Sequence, residues 1–220
     1  MDFLTLKEVT KTYERGLVQA LRGVTLSIGK GEAVALMGSS GCGKSTLLGL
    51  IGALDRVSGG AILVEGRNIN ELLPWHSFRA RKIGFVFQFH HLISSMTLFE
   101  NVETPMIALG IEKVERRRRA WELLERVGLR NRVDCFPNRV SGGERQRAAV
   151  VRAMINRPAL LLADEPTGNL DSAMGEALID LLLSQARDAA STVLMATHNP
   201  EVAARCDRRI LMKDGRIVGG

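Results

Sequence analysis

A glycine-rich segment near the start of the chain has the composition and spacing of a phosphate-binding loop. Residues 38–45 read Gly-Ser-Ser-Gly-Cys-Gly-Lys-Ser, which matches the pattern G-x-x-x-x-G-K-[ST]. Glycines allow the backbone to turn its N–H groups toward phosphate oxygens, and the positive N-terminus of a following helix adds to the attraction. In this pattern Lys44 reaches the β- and γ-phosphates, and Ser45 is a ligand of Mg²⁺. The segment therefore predicts a nucleotide phosphate site.

Cys42 lies inside this loop, and two interpretations of it stay open. It is either a small residue that fits the turn, or a thiol whose pKa is lowered by the helix N-terminus so that it becomes reactive. In the second case, bound nucleotide should protect Cys42 from alkylation.

Two acidic residues follow an apolar segment in the second half of the chain, where residues 160–167 read Leu-Leu-Leu-Ala-Asp-Glu-Pro-Thr. A strand that ends in Asp164 beside a phosphate loop supplies a second ligand for Mg²⁺. Because side chains alternate along a strand, Glu165 points elsewhere and is positioned to polarise an attacking water. Acid pairs also occur on surface turns, so it is the combination with the phosphate loop that makes this pair specific.

Two further polar residues come directly after apolar segments. His198 follows residues 192–197, and Gln88 follows residues 83–87. The carboxyl ends of parallel strands meet at the ligand edge of a sheet, so His198 is predicted to reach the γ-phosphate and Gln88 to lie nearby. The adjacent His90 and His91 have no other ligand residues in range and are predicted to be surface or packing residues, not metal ligands.

A second pair of glycines opens a helical pattern at residues 141–147, Ser-Gly-Gly-Glu-Arg-Gln-Arg. Glycines at a helix N-terminus are typical of an anion site, yet no lysine follows them. Taken alone, the segment is equally compatible with an N-terminal helix cap made by Ser141.

The elements that carry these residues alternate between strand and helix patterns, which favours an α/β fold with a mostly parallel sheet. Buried strands are predicted at residues 32–37, 83–87, 160–163 and 192–196, and helices at 44–53, 171–188 and 200–205.

The segment from about 98 to 157 differs, because its pattern is mainly helical. Within residues 115–127, Ala120, Leu124 and Val127 fall on one face at helical spacing. The four consecutive arginines at 116–119 form either a solvated face or a contact surface for a partner or for lipid headgroups. The pattern predicts an α/β core interrupted by a helical lobe.

Composition narrows the class of protein further. The chain has 220 residues and a formal charge of +6, which fits simple solubility, nucleic-acid binding or an anionic membrane surface. The sequence contains no apolar run of 18 residues, so no transmembrane helix is predicted. The first residues do not resemble a secretory signal. The three dispersed cysteines fit a reducing cytosol rather than a disulfide framework or a zinc site.

Together these motifs resemble the nucleotide-binding subunit of an ABC transporter, over nearly the whole chain and in the expected order. Residues 38–45 resemble the Walker A loop, 141–147 the ABC signature, and Gly168-Asn-Leu-Asp171 the D-loop, while Val140 departs from the usual leucine. The resemblance implies catalytic roles for Glu165, His198 and Gln88, and metal ligation by Ser45, Gln88 and Asp164. It implies ATP contacts from Tyr13, which would stack on adenine, and from Gly38, Ser39, Ser40, Gly41, Cys42, Gly43, Lys44, Ser45, Thr46, Ser141, Gly142, Gly143 and Asp171.

The resemblance also implies an architecture. A P-loop NTPase (RecA-like) α/β core at residues 1–90 and 158–220, with an antiparallel β edge region, would carry an inserted α-helical subdomain at 91–157 in a single nucleotide-binding domain. Two subunits would pack head to tail around two ATP molecules, so that Ser141 and Gly143 of one copy bind the γ-phosphate held by the other. The chain would then need two phosphate-facing segments because it contributes half of each site.

Residues 84–88, 96–102 and 163–171 are similar to the branch that contains the LolD, MacB and FtsE ATPases. This similarity implies ATP and Mg²⁺ as ligands, a homodimer in the ATP-bound state, and a transmembrane permease that meets the region from Gln88 to Val102. The subunit would lie on the cytoplasmic face of the inner membrane and export or extract a lipoprotein, peptide or drug. Two alternatives remain, an FtsE-like ATPase that signals to cell-wall machinery and an ABC ATPase acting on nucleic acid, which is not expected. Whether the chain is part of a longer protein, as a MacB-like arrangement would require, stays open.

Overall fold

The computed structural model describes residues 2–72, 74–168 and 170–219. Within these ranges the strands are β1 (Asp2–Tyr13), β2 (Val18–Gly29), β3 (Ala33–Met37), β4 (Gly59–Val64), β5 (Arg67–Asn68), β6 (Ile83–Val86), β7 (Leu160–Asp164), β8 (Thr192–Thr197), β9 (Arg208–Lys213) and β10 (Arg216–Gly219). The α-helices are α1 (Lys44–Ile51), α2 (Trp75–Lys82), α3 (Leu98–Ile107), α4 (Lys113–Arg126), α5 (Gly142–Met154), α6 (Ser172–Asp188) and α7 (Pro200–Ala203).

The larger sheet has six strands in the order β10-β9-β3-β8-β7-β6. Its five strands from β9 to β6 are parallel, and β10 is an antiparallel edge strand. Strands β3, β7 and β8 are almost entirely buried. A parallel sheet covered on both faces needs such continuous apolar runs, so the prediction of a mostly parallel sheet is confirmed.

A second sheet of four antiparallel strands, in the order β2-β1-β4-β5, packs near the first. Apolar residues of β1, β2 and β4 share one buried cluster with α1 and with one side of the parallel strands. This sheet corresponds to the antiparallel β region implied by the family resemblance. It places the end of β1, at Tyr13, beside the start of α1.

The opposite face of the parallel sheet is covered by α5 and α6. Helices α3, α4 and α5 form a third buried cluster, and it contains Ala120, Leu124 and Val127, the three residues predicted to share one helix face. Helix α5 contributes to both clusters and so connects the helical lobe to the sheet. The exact limits of the lobe, 91–157, stay a prediction.

The arginine run on α4 is held by contacts within the chain. Arg116 pairs with Glu103 at 2.7 Å, and Arg118 and Arg119 pair with Glu115 on the same helix. The Arg117 guanidinium lies 5.1 Å from the centre of the Phe99 ring. These contacts favour the solvated face over the partner surface. Among the described residues, no helix has the length and apolar character needed to cross a bilayer.

Candidate active site

The phosphate-binding loop lies between the carboxyl end of β3 and the N-terminus of α1. Gly43, with φ of 108°, is the residue before the first turn of α1. A Cβ at Gly43 would lie 2.7 Å from the Ala20 carbonyl oxygen, and a Cβ at Gly38 would lie 2.3 Å from that of Met212. The close approach of neighbouring backbone therefore requires glycine at both positions.

Lys44 connects this loop to the acidic end of β7. Its Nζ donates hydrogen bonds to the carbonyl oxygens of Gly38 (2.7 Å) and Ser39 (3.1 Å), and it lies 3.9 Å from Oε1 of Glu165. The lysine is 7% exposed. A buried ammonium at the loop centre is a strong attractor for phosphate oxygens.

Asp164 ends β7 beside Ser45. Burial raises the pKa of Asp164, and Glu165 adds to this effect, whereas the hydrogen bond with Ser45 and the charge of Lys44 lower it. Its Oδ1 is buried without a hydrogen-bond partner. No group of three His, Cys, Asp or Glu side chains could hold a metal among the residues described. A cation at Asp164 would therefore rely on hydroxyl, amide and phosphate oxygens for its remaining ligands.

Glu165 is turned toward His198 by an unusual backbone conformation. Its φ is 45°, and its N–H donates to the Ala196 carbonyl oxygen of β8 at 2.9 Å. Nδ1 of His198 lies 2.9 Å from Oε2 of Glu165. A left-handed residue at the end of a buried strand is strained, and such strain concentrates at functional sites.

Lys44, Glu165 and His198 line one open cavity of about 580 Å³, whereas Asp164 lies beside Ser45 and does not line it. This volume is within the range of small-ligand sites. The lining contains predicted site residues from four strand ends, together with Ala20: Ser39, Ser40, Gly41, Gly43, Lys44, Ser45, Thr46, Gln88, Glu165 and His198. The parallel sheet thus brings together segments that are up to 160 residues apart, as the sequence predicted.

Tyr13 lies at the end of β1, and its hydroxyl donates to Oδ2 of Asp55 at 3.2 Å. The Lys11 ammonium lies 4.7 Å from the centre of the Tyr13 ring and 2.7 Å from the Asp55 carboxylate. Burial and Asp55 raise the pKa of the Tyr13 phenol, while Lys11 and the Thr46 side chain act in the opposite direction. Tyr13 is therefore close to the end of the phosphate loop, although it does not line the cavity.

The second glycine segment lies outside this cavity. Ser141 is the N-cap of α5, and its side chain and that of Glu144 form a reciprocal capping box. The segment therefore forms the helix N-terminus that both interpretations require, with Gly142 and Gly143 in its first turn. Val140 is buried in the helical cluster, so the departure from leucine keeps an apolar contact.

Two other predicted residues are in different surroundings. Asp171 caps α6 by accepting a hydrogen bond from the Met174 N–H and does not line the cavity. Asn169, part of the predicted D-loop, lies outside the described residues. Cys42 is 5% exposed, and its Sγ lies 2.7 Å from the position of a Cβ on Gly38, which favours a packing role.

Sequence reasoning missed several polar residues that support the site. Asp55 accepts a hydrogen bond from the Tyr13 hydroxyl and pairs with Lys11. Gln146 and Arg152 of α5 contact the backbone around Gln88. His90 and His91, predicted to be surface or packing residues, occupy this loop, and the His91 ring packs edge-on against Phe87.

The sequence model of the ABC transporter family matches residues 21–168. This chain belongs to the ABC transporter family. The ABC chain is 43% identical over 216 residues to the lipoprotein-releasing system ATP-binding protein LolD of Shewanella denitrificans, covering 96% of this chain and 93% of LolD. It is 42% identical to the macrolide export ATP-binding/permease protein MacB of Escherichia coli, covering 98% of this chain but 34% of MacB.

Solved structures agree with this assignment. A dimeric ATP-binding cassette in a post-hydrolysis state with ADP and Pi superposes with a TM-score of 0.90, at 41% identity and with 97% and 96% of the two chains covered. This ABC chain is therefore an ATP-binding subunit with a P-loop ATPase core, which hydrolyses ATP to energise transport by a partner permease.

Proposed function

We propose that this ABC ATPase drives a separate transmembrane permease that extracts or exports a lipoprotein, peptide or drug. The observation that carries the proposal is the match to LolD over 93% of its length, at 43% identity. The match to MacB supports the same broad class, although it covers only a third of that protein. In this proposal the subunit is peripheral to the membrane, on its cytoplasmic face, and acts as a homodimer when ATP is bound.

The cavity suggests how the residues would divide the chemistry. Lys44 and the loop N–H groups would hold the phosphates, Glu165 would orient and polarise the attacking water, and His198 would contact the γ-phosphate. Ser45, Asp164 and Gln88 would hold Mg²⁺, whose positive charge would stabilise the negative charge that develops on the phosphate. The buried, unpartnered Oδ1 of Asp164 supports this cation site.

Dimerisation would complete each site. The dimeric state of the cassette with 41% identity supports a head-to-tail pair. Ser141 and Gly143 would then meet the γ-phosphate bound by the second copy, and Asp171 would lie at the same interface. This arrangement is consistent with a signature segment that lies outside the cavity of its own chain.

A cleft of about 400 Å³ between α2, β6 and α5 supports a contact with the permease. Its lining contains the aromatic residues Phe85 and Phe87 together with His76 and His91. Phe87 immediately precedes the region from Gln88 to Val102 that was predicted to meet the membrane subunit. A short segment of the permease would bind there and sense the position of Gln88.

Co-purification from native membranes in mild detergent tests the proposal. Recovery of a permease with its lipoprotein or peptide client would support it. Recovery of a cell-wall hydrolase regulator would favour the FtsE-like alternative, and recovery only with nucleic acid in the soluble fraction would overturn the transport reading. His76→Glu in the cleft should reduce permease recovery, whereas Val114→Glu, on the exposed surface of α4, should not.

A further inference from the structure

Helix α5 contacts the loop that carries Gln88 on both sides of that residue. Nε2 of Gln146 donates to the Phe87 carbonyl oxygen at 3.1 Å. Arg152 donates to the carbonyl oxygens of His90 (2.7 Å) and His91 (2.6 Å). The backbone before and after Gln88 is therefore bonded to a single helix.

These contacts hold the loop in an energetically unfavourable conformation. Gln146 is 3% exposed, and burial lowers the pKa of the Arg152 guanidinium. In the part of the chain that the structure describes, Arg152 forms no ion pair with a carboxylate, so its charge is compensated only by carbonyl dipoles. The residues it holds, His90 and His91, have φ angles of 50° and 45°. Strained backbone of this kind persists only where its surroundings fix it.

The side chain of Gln88 is confined from a different direction. It lines the cavity together with Lys44 and Glu165. A Cβ on Gly168 would lie 2.9 Å from Nε2 of Gln88, so the two residues pack closely. A shift of the loop would consequently move Gln88 relative to the phosphate loop.

We infer that Gln146 and Arg152 are positioning residues that fix Gln88 at the cavity and tie its position to the signature helix. The inference rests on the proposed roles of Gln88 as a metal ligand and of Ser141 and Gly143 as contacts to the ATP of the second copy. The same helix carries the signature at its first turn and holds the Gln88 loop along its length. Binding of the partner's nucleotide at one end of α5 is thereby transmitted to Gln88 in the cavity of its own chain.

Cation binding without turnover provides the test. Mn²⁺ replaces Mg²⁺, and the EPR signal of Mn²⁺ is followed with the full chain and a non-hydrolysable ATP analogue, after subtraction of the signal of Mn²⁺ bound to the analogue without protein. Gln146→Met and Arg152→Met preserve much of the side-chain length but remove the donors. Removing an outer-shell partner typically weakens metal binding or activity by about 10- to 100-fold. We expect a loss of that size in Mn²⁺ affinity and in kcat, with the KM for ATP changed by less than about threefold.

Asn156→Leu is the matched control, because Nδ2 of Asn156 also donates to two carbonyl oxygens, those of Ala80 and Pro105, and neither carbonyl belongs to residues 87–91. It should lower the melting temperature without changing Mn²⁺ affinity, and Arg152→Lys should recover part of the loss. Equal weakening in Asn156→Leu, or normal Mn²⁺ binding in folded Gln146→Met and Arg152→Met, would overturn the inference. Where Gln146→Met does not fold, Gln146→Leu removes the donor with a shorter, uncharged side chain. Wild-type protein without Mg²⁺-dependent hydrolysis would instead count against the proposed function.

Discussion

Nδ1 of His198 lies 2.9 Å from Oε2 of Glu165, while Oε1 of the same carboxylate lies 3.9 Å from Nζ of Lys44. The carboxylate at the end of β7 thus connects the phosphate loop to the end of β8. Only 15% of the Glu165 side chain is exposed, compared with 72% for His198. The enclosed Glu165 carboxylate suits a group that activates water, and the exposed His198 imidazole beside it suits a group that contacts the γ-phosphate.

Replacement of Glu165 by glutamine should separate binding from hydrolysis. Glu165→Gln preserves the shape of the side chain but removes the base, so kcat should fall by roughly 10²- to 10⁴-fold. The variant should still bind ATP and form a stable dimer, visible by light scattering after gel filtration. Glu122→Gln on α4 is the control, because Glu122 pairs with Arg118 one turn away on the same helix and does not line the cavity. Normal turnover in Glu165→Gln would remove this residue from the catalytic role.

His198→Ala should lower kcat by about 10²-fold, because a preorganised group at the developing phosphate charge is lost. The affinity for ADP should stay close to that of the wild type, since ADP has no γ-phosphate for the imidazole to contact. Single-turnover hydrolysis and ADP titration together distinguish the two effects. An equal loss of ADP affinity would indicate that His198 organises the pocket instead of acting on the γ-phosphate.

The sequence predicts those strands and loops whose structure follows from the pattern of neighbouring residues. Strands β3, β7 and β8 are continuous apolar runs because both of their faces are buried, and the phosphate loop is defined by glycine spacing. Strand β1 was not recognised from its residues, since the register shift after Leu6 and the left-handed Glu8 interrupt the alternating pattern. Its presence was implied only by the family resemblance.

The supporting residues escape sequence reasoning for a different reason. Gln146 and Arg152 act on backbone carbonyls that are 59 to 62 residues away in the chain. Every residue has a backbone carbonyl, so the sequence contains no specific pair of side chains that would reveal these contacts. The position of α5 against the loop is decided by packing of the buried clusters, and only the folded structure provides it.

Arg132 offers a test of the signature segment. Its Nε lies 3.0 Å from Oε1 of Glu144, and Glu144 in turn accepts from the Ser141 N–H. The Ser141 backbone, Ser141 side chain and Arg132 all lower the pKa of Glu144, so a negative charge lies at the first turn of α5. In an ATP dimer this carboxylate would approach the triphosphate of the second copy, and Arg132 would neutralise it.

Arg132→Met should therefore weaken ATP-dependent dimerisation by several-fold in the Glu165→Gln background, while the melting temperature changes little because 53% of the Arg132 side chain is exposed. Analytical ultracentrifugation at fixed ATP measures the dimer. Adding Glu144→Gln should restore dimerisation, because the uncompensated charge is then gone. A double variant as weak as Arg132→Met alone would show that the arginine acts through packing and not through charge.

The last prediction concerns Tyr13, for which adenine stacking was predicted from the family resemblance. Stacking of a base on an aromatic ring contributes about 1–3 kcal/mol, so Tyr13→Ala should weaken ATP binding by roughly 5- to 150-fold. Tyr13→Phe preserves the ring and loses the contacts of the hydroxyl with Asp55 and Thr46, so its affinity should stay within a few-fold of the wild type. Inorganic tripolyphosphate, which has no base, is the internal control for the phosphate loop. Tyr13→Ala should bind it as the wild type does, and a parallel loss of tripolyphosphate affinity would mean that Tyr13 supports Thr46 and the loop rather than the base.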